Sequence, residues 1–108
     1  MQSDHYTYRV TWSPEDSEYV ATCAEFPSLS WLDRDPIEAM RGVRTLVADA
    51  VRDMEASGEP VPVPLAERPY SGRFQVRTTP EVHRRLATEA AEARVSLNRW
   101  VNAKLTAT

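Results

Sequence analysis

The chain has 108 residues, 42% of them apolar and 27% charged, with a net charge of −3 and a single cysteine. That length suits one small domain, or a minimal domain joined to an oligomerising module, and no window approaches the roughly 18 apolar residues of a membrane span. The opening Met1-Gln2-Ser3-Asp4-His5 does not read as a signal peptide, and the lone Cys23 excludes an internal disulfide, so it is expected as a small buried hydrophobe in a cytoplasmic protein.

Charge divides unevenly along the chain. Residues 1–71 hold six arginines and thirteen carboxylates, a net −7, and residues 72–108 hold seven Arg or Lys against three Glu, a net +4. An acidic body with a basic module points to two partners of opposite sign.

Taken in chain order, Tyr6-Thr7-Tyr8-Arg9-Val10-Thr11-Trp12 alternates with period two and predicts a half-buried strand. Ser13-Pro14-Glu15-Asp16-Ser17 is turn chemistry. Residues 19–24 form a second β-rich run close enough to make a hairpin, and residues 29–32 a short third strand after Phe26-Pro27. Asp35-Pro36-Ile37-Glu38 then starts a helix: Asp35 caps, Pro36 suits the first position and Glu38 completes a capping box. Ile37, Met40, Val43, Val47, Val51 and Met54 recur at helical spacing and are expected to cover one face of the sheet. Ser57-Gly58 ends the helix. Residues 1–58 thus read as a β-β-β-α domain.

Residues 59–71 include Pro60, Pro62, Pro64 and Pro69, which exclude a helix and favour an extended path. They are expected as a semi-rigid linker, with an edge strand as the alternative. Residues 72–108 carry the clearest pattern. Arg73-Phe74-Gln75-Val76-Arg77-Thr78 alternates strictly, Thr79-Pro80-Glu81 starts a helix with Val82, Leu86, Ala90 and Ala93 on one face, and Ser96 caps a last helix bearing Leu97, Trp100, Val101 and Leu105. A lone strand followed by two short helices cannot satisfy its edge hydrogen bonds or bury its apolar stripes by itself. Pairing with a second copy does both. The alternation places Phe74, Val76, Leu86, Leu97, Trp100 and Val101 in a dimer core. Arg73, Gln75 and Arg77 point outward on a two-stranded ribbon that fits a major groove about 12 Å wide, where Arg pairs with guanine and Gln with adenine. Ser96 heads a helix whose free N–H groups suit a DNA phosphate, with Asn98 and Arg99 assisting.

Residues 71–86 followed by Val95-Ser96-Leu97-Asn98-Arg99-Trp100-Val101 resemble the C-terminal ribbon-helix-helix of the HicB antitoxin family, and Cys23 to Ser30 with the Asp35-to-Val43 helix start resembles that family's N-terminal domain. The resemblance implies an α+β fold: a degenerate, catalytically inert ribonuclease-H-like domain that neutralises a HicA-like mRNA-cleaving toxin, plus a ribbon-helix-helix, completed by dimerisation, that represses its own operon on double-stranded operator DNA. Higher oligomers than the dimer stay open. Two departures stand out: Arg94 occupies a position where many members have glycine, and Trp31-Leu32-Asp33-Arg34 lacks their glycine-rich turn. A stand-alone ribbon-helix-helix transcriptional regulator with an N-terminal ligand-sensing or oligomerisation domain is the alternative. No metal, cofactor or enzymatic activity is expected: His5 and His83 have no partner at ligand spacing, and Asp35 is better explained as a cap than as half of a carboxylate pair with Asp33. Tyr6, Tyr8, Trp12 and Trp31 are expected in a sheet core.

Overall fold

The computed structural model describes residues 2–107. It is an α+β chain in which a three-stranded antiparallel sheet is followed by helices, and it divides into two compact units, Met1–Tyr70 and Ser71–Thr108. Among the described residues no helix is long and apolar enough to cross a membrane.

In the first unit a short 3-10 turn (Gln2–His5) leads into β1 (Tyr8–Ser13), β2 (Glu18–Cys23) and β3 (Ser30–Asp33), followed by the long helix α1 (Pro36–Ala56). Sheet order is β1-β2-β3, both pairs antiparallel. The β1–β2 turn closes with Ser17 in the left-handed region, φ 52°. Register pairs Val10 with Ala21 and Ala21 with Trp31, so these three share one face with the Tyr8–Cys23 and Trp12–Tyr19 pairs. Helix α1 packs across that face.

The core consists of Tyr6, Ala21 and Cys23 from the sheet side against Ala39, Val43, Val47 and Val51 from α1. These helix residues are four apart and form a single row. The expected stripe is corrected at its start: Ile37 is 66% exposed and Ala39 is buried in its place, because Ile37 falls off the four-residue spacing of the row that faces the sheet. Met40 and Met54 flank the row, half-buried. Cys23 is buried as expected, and burial pushes its thiol pKa up. Tyr6 is buried and Tyr8 half-buried, whereas Trp12 and Trp31 are 52% and 42% exposed. The sheet-core expectation therefore fails for both tryptophans. Trp12 sits at the sheet corner against Tyr19, with ring centroids 5.1 Å apart at 69°. Trp31 lies on Gly42, where any Cβ would land inside its indole.

Both ends of α1 follow local chemistry. Asp35 Oδ1 accepts the Ile37 and Glu38 amides at 2.8 and 3.4 Å. The capping box is not completed by Glu38, however. Asp33 Oδ1 takes the Asp35 amide at 2.9 Å, and Glu38 instead pairs with Arg41 one turn on. At the far end Gly58 has φ 73°. Its amide reaches the Glu55 carbonyl and the Glu59 amide reaches that of Met54, the Schellman arrangement that glycine accommodates without steric cost.

The proline-rich stretch differs from a free linker. As far as Tyr70 it belongs to the first unit, and among the described residues it forms no edge strand. Val61 packs on the core and Pro64 is fully buried. The Tyr6 hydroxyl donates to the Pro62 carbonyl at 2.7 Å, the Leu65 amide donates to Glu25 at 2.9 Å, and His5 meets Glu67. The path is extended only in part: after Pro64 a 3-10 turn forms over Leu65–Glu67, where no proline stands, so the prolines exclude a helix only from their own positions. Val61 and Pro64 settle this strap on the core.

Candidate nucleic-acid interface in the second unit

Near the start of the second unit Gly72 sits at φ 83°. The Ser71 hydroxyl accepts the Arg73 amide at 3.1 Å. Residues 73–78 then run without helix or strand, every one exposed. The expected strand is not formed within a single chain, since a strand is defined by its ladder and among the described residues nothing pairs with this one. The side chains of Arg73, Gln75 and Arg77 carry no hydrogen bond or ion pair to any described residue. A guanidinium–amide–guanidinium row is left in water.

Helix α2 (Pro80–Glu92) starts as the sequence predicts, with Thr79 Oγ1 accepting the Val82 amide at 3.2 Å and Pro80 in the first turn. It ends in a second Schellman arrangement: the Arg94 amide reaches the Ala91 carbonyl and the Val95 amide that of Ala90. Arg94 itself has φ 58°, the backbone conformation for which glycine is favoured. Helix α3 (Leu97–Thr106) follows at once.

Ser96 caps α3 by accepting the Arg99 amide at 3.0 Å. Its oxygen is thereby engaged, so an anion at this end would meet the amides of Leu97 and Asn98, which lie in the unsatisfied first turn. Asn98 and Arg99 are exposed beside them. The two helices are tied by Trp100 Nε1, which donates to Glu89 at 3.1 Å, and by Lys104, which lies 5.1 Å from the centroid of the same indole and 4.0 Å from Glu89. No sequence pattern announces this tie, because Glu89 and Trp100 lie on different helices and meet only through the turn at Arg94.

The expected dimer-core residues gather around one feature. Phe74, Val76, Leu86, Leu97 and Val101, with Leu105, line an open groove of about 1110 Å³ between the extended segment and the helices. Phe74 is 76% and Val76 66% exposed, while Leu86, Trp100 and Val101 are half-buried. Trp100 is absent from the groove wall and faces Glu89 instead. Among the described residues of this unit only Ala90 is buried. Arg73 and Arg77 border the same groove as Phe74 and Val76, and Gln75 is not among its lining residues, so the single chain does not sort the segment into an apolar and a basic face. Among the described residues no group of His, Cys, Asp or Glu is arranged to hold a metal ion.

A comparison with protein families finds that the HicB family model matches residues 56–105. The matched stretch takes in the end of α1, the strap, all of α2 and nearly all of α3, and over it the chain is similar to that family. Comparison with curated proteins and comparison with solved structures each give no match.

Proposed function

We propose that this chain is a HicB-type antitoxin of a type II toxin–antitoxin pair. Its second unit dimerises as a ribbon-helix-helix and represses its own operon, and its first unit, a degenerate ribonuclease-H-like domain without catalysis of its own, neutralises a HicA-like mRNA-cleaving toxin in the cytoplasm. The family match supports an antitoxin role and a toxin partner.

The observation that carries the DNA-binding half is the unpaired segment at residues 73–78. Among the described residues its backbone has no ladder partner, its apolar side chains Phe74 and Val76 stand exposed at an open groove, and its Arg73, Gln75 and Arg77 side chains make no hydrogen bond or ion pair. A second copy related by a two-fold axis supplies all three needs at once. The two segments pair as a ribbon, the grooves close over each other's Phe74 and Val76, and six polar tips project from the outer face. Each good Arg–guanine or Gln–adenine pair gives about 1–3 kcal/mol of discrimination.

Binding of the chain to its own promoter, followed by fluorescence anisotropy, tests this reading. Arg73→Ala and Arg77→Ala should each weaken specific binding tenfold or more while leaving the dimer intact, and the affinity of the unaltered chain should fall steeply with salt, as phosphate contacts require. Retention of full specific affinity by both variants would remove the face assignment.

A second reading has one observation in its favour. The family match begins at residue 56 and leaves β1 to β3 and most of α1 outside it, as for a stand-alone regulator whose first unit senses a ligand or assembles the protein. Genomic context separates the two: a toxic small basic protein encoded alongside, and captured by this chain, belongs to the antitoxin reading alone.

A further inference from the structure

One corner of the first unit leaves large apolar side chains in water. Helix α1 lies mainly across β2 and β3, and at the outer side of β1 it leaves a depression of about 340 Å³ lined by Val10, Pro36, Ile37, Met40, Arg41 and Arg44. Two residues along β1 on the same face stands Trp12, 52% exposed, its indole braced edge-on by Tyr19. Ile37, on the lip, is 66% exposed. An isolated exposed apolar residue needs no explanation, but a braced tryptophan beside an apolar depression is the composition of a binding anchor.

The charge around this corner states what kind of partner it fits. Arg41 and Arg44 are already engaged, by Glu38 at 3.1 Å and by Asp4 at 2.7 Å. Glu15, Asp16, Glu18 and Asp33, which lie in the turn after Trp12, at the strand end opposite Ser13, and in the same cross-strand row as Tyr19, have no ion pair with any described residue. Ser13 Oγ donates to Asp16 at 2.9 Å, which orders the turn without neutralising it. Carboxylates around an aromatic face attract arginine and lysine, the cation sitting over the ring and pairing with the rim, and the same charge repels nucleic acid.

The geometry points to this corner as the docking surface for the basic protein partner: Trp12 is the anchor, the Val10–Ile37–Met40 depression receives an apolar side chain, and the carboxylates of the β1–β2 turn and of Asp33 hold the partner's cations. The assignment rests on the reading of the first unit as the toxin-neutralising half.

The test uses the full chain and, as probe, the purified product of the small reading frame next to its own, in a ribonuclease-inactive form, with affinity measured by titration calorimetry. Trp12→Ala should weaken binding about 30-fold or more, the loss of a hot-spot residue, and Glu15→Lys with Asp16→Lys should weaken it comparably and flatten its salt dependence. Asp53→Lys with Glu55→Lys, the same charge change at the far end of α1, should stay within about twofold. Thermal melts matching the unaltered chain show that the variants fold. Wild-type affinity in both corner variants would overturn the docking surface while leaving the antitoxin reading standing. Failure of the unaltered chain to bind the probe would overturn the antitoxin reading, and this corner with it.

Discussion

Arg94 holds the left-handed conformation, φ 58°, that closes α2 and starts α3. An L-residue there costs about 1–2 kcal/mol in Cβ–carbonyl crowding, and glycine avoids that cost while giving back part of it as unfolded-chain freedom. Arg94→Gly should therefore stabilise the second unit by up to about 1 kcal/mol, read as a higher urea midpoint at unchanged slope. Gly42 is the opposite case. It lies in mid-helix, where alanine would gain about 1 kcal/mol of helix propensity, yet its missing Cβ is where the Trp31 indole rests. Overpacking of that kind costs about 1–3 kcal/mol. Gly42→Ala should come out destabilising by about 1 kcal/mol, with a shifted Trp31 fluorescence spectrum. Arg94 stood out in the sequence because the related family has glycine there. Gly42 did not, since its role depends on a tryptophan eleven positions earlier that only strand register brings over α1.

At the level of elements, what local chemistry dictates was legible: the first strand by alternation, the next two by β-rich runs between turn residues, and three helices by Asp35, Thr79 and Ser96 with a proline or an amide-accepting oxygen at each start. What long-range contact dictates was not. The strap over residues 59–70 looks like a tether in composition, and it is held by Glu25, which has partners 18 and 40 positions away: the Thr7 amide at 2.9 Å, the Thr7 hydroxyl at 3.1 Å and the Leu65 amide at 2.9 Å. Partial burial raises the Glu25 pKa, but the Leu65 and Thr7 amides outweigh it and hold the carboxyl below its ordinary 4.5. A group whose pKa is depressed on folding stabilises above its unfolded value, and that contribution disappears as pH falls through the folded one. The strap should therefore be fully docked at neutral pH and loosen below about pH 4.5, seen as a smaller protection factor for the Leu65 amide once the intrinsic pH dependence of exchange is divided out. Glu25→Gln, which cannot accept all these bonds as an anion, should loosen it at neutral pH and raise protease cutting within residues 59–70. Unchanged exchange in that variant would assign the strap's hold to its other contacts, the packing of Val61 and Pro64, the Tyr6–Pro62 hydrogen bond and the His5–Glu67 pair.

For the molecule as a whole, the second unit is too small to bury what it exposes. Among the described residues it has one buried residue, Ala90, and a groove bordered by Phe74 and Leu105 at 76% and 62% exposure. Chains with so little core fold stably through a metal, disulfides or association, and the unit's sequence contains no cysteine. Stability of this half should then depend on protein concentration, its melting temperature rising as the chain is concentrated. Phe74 and Trp100 separate the two sources of order. Trp100 is half-buried within its own chain and bonded to Glu89, so Trp100→Ala should loosen the helix pair even in dilute protein. Phe74 touches water in the single chain, so Phe74→Ala should leave the dilute unit unaffected. In a two-fold pair the same change removes two buried rings, each truncation costing about 3–5 kcal/mol. At about 1.4 kcal/mol per tenfold, the dimer should weaken by at least about a thousandfold, and sedimentation equilibrium at micromolar concentration should find monomer. Promoter binding should disappear with the dimer, because Arg73, Gln75 and Arg77 then have no ribbon to align them. A Phe74→Ala chain that stays dimeric and still binds its promoter would mean that the two copies meet elsewhere, leaving the groove under residues 73–78 without its occupant.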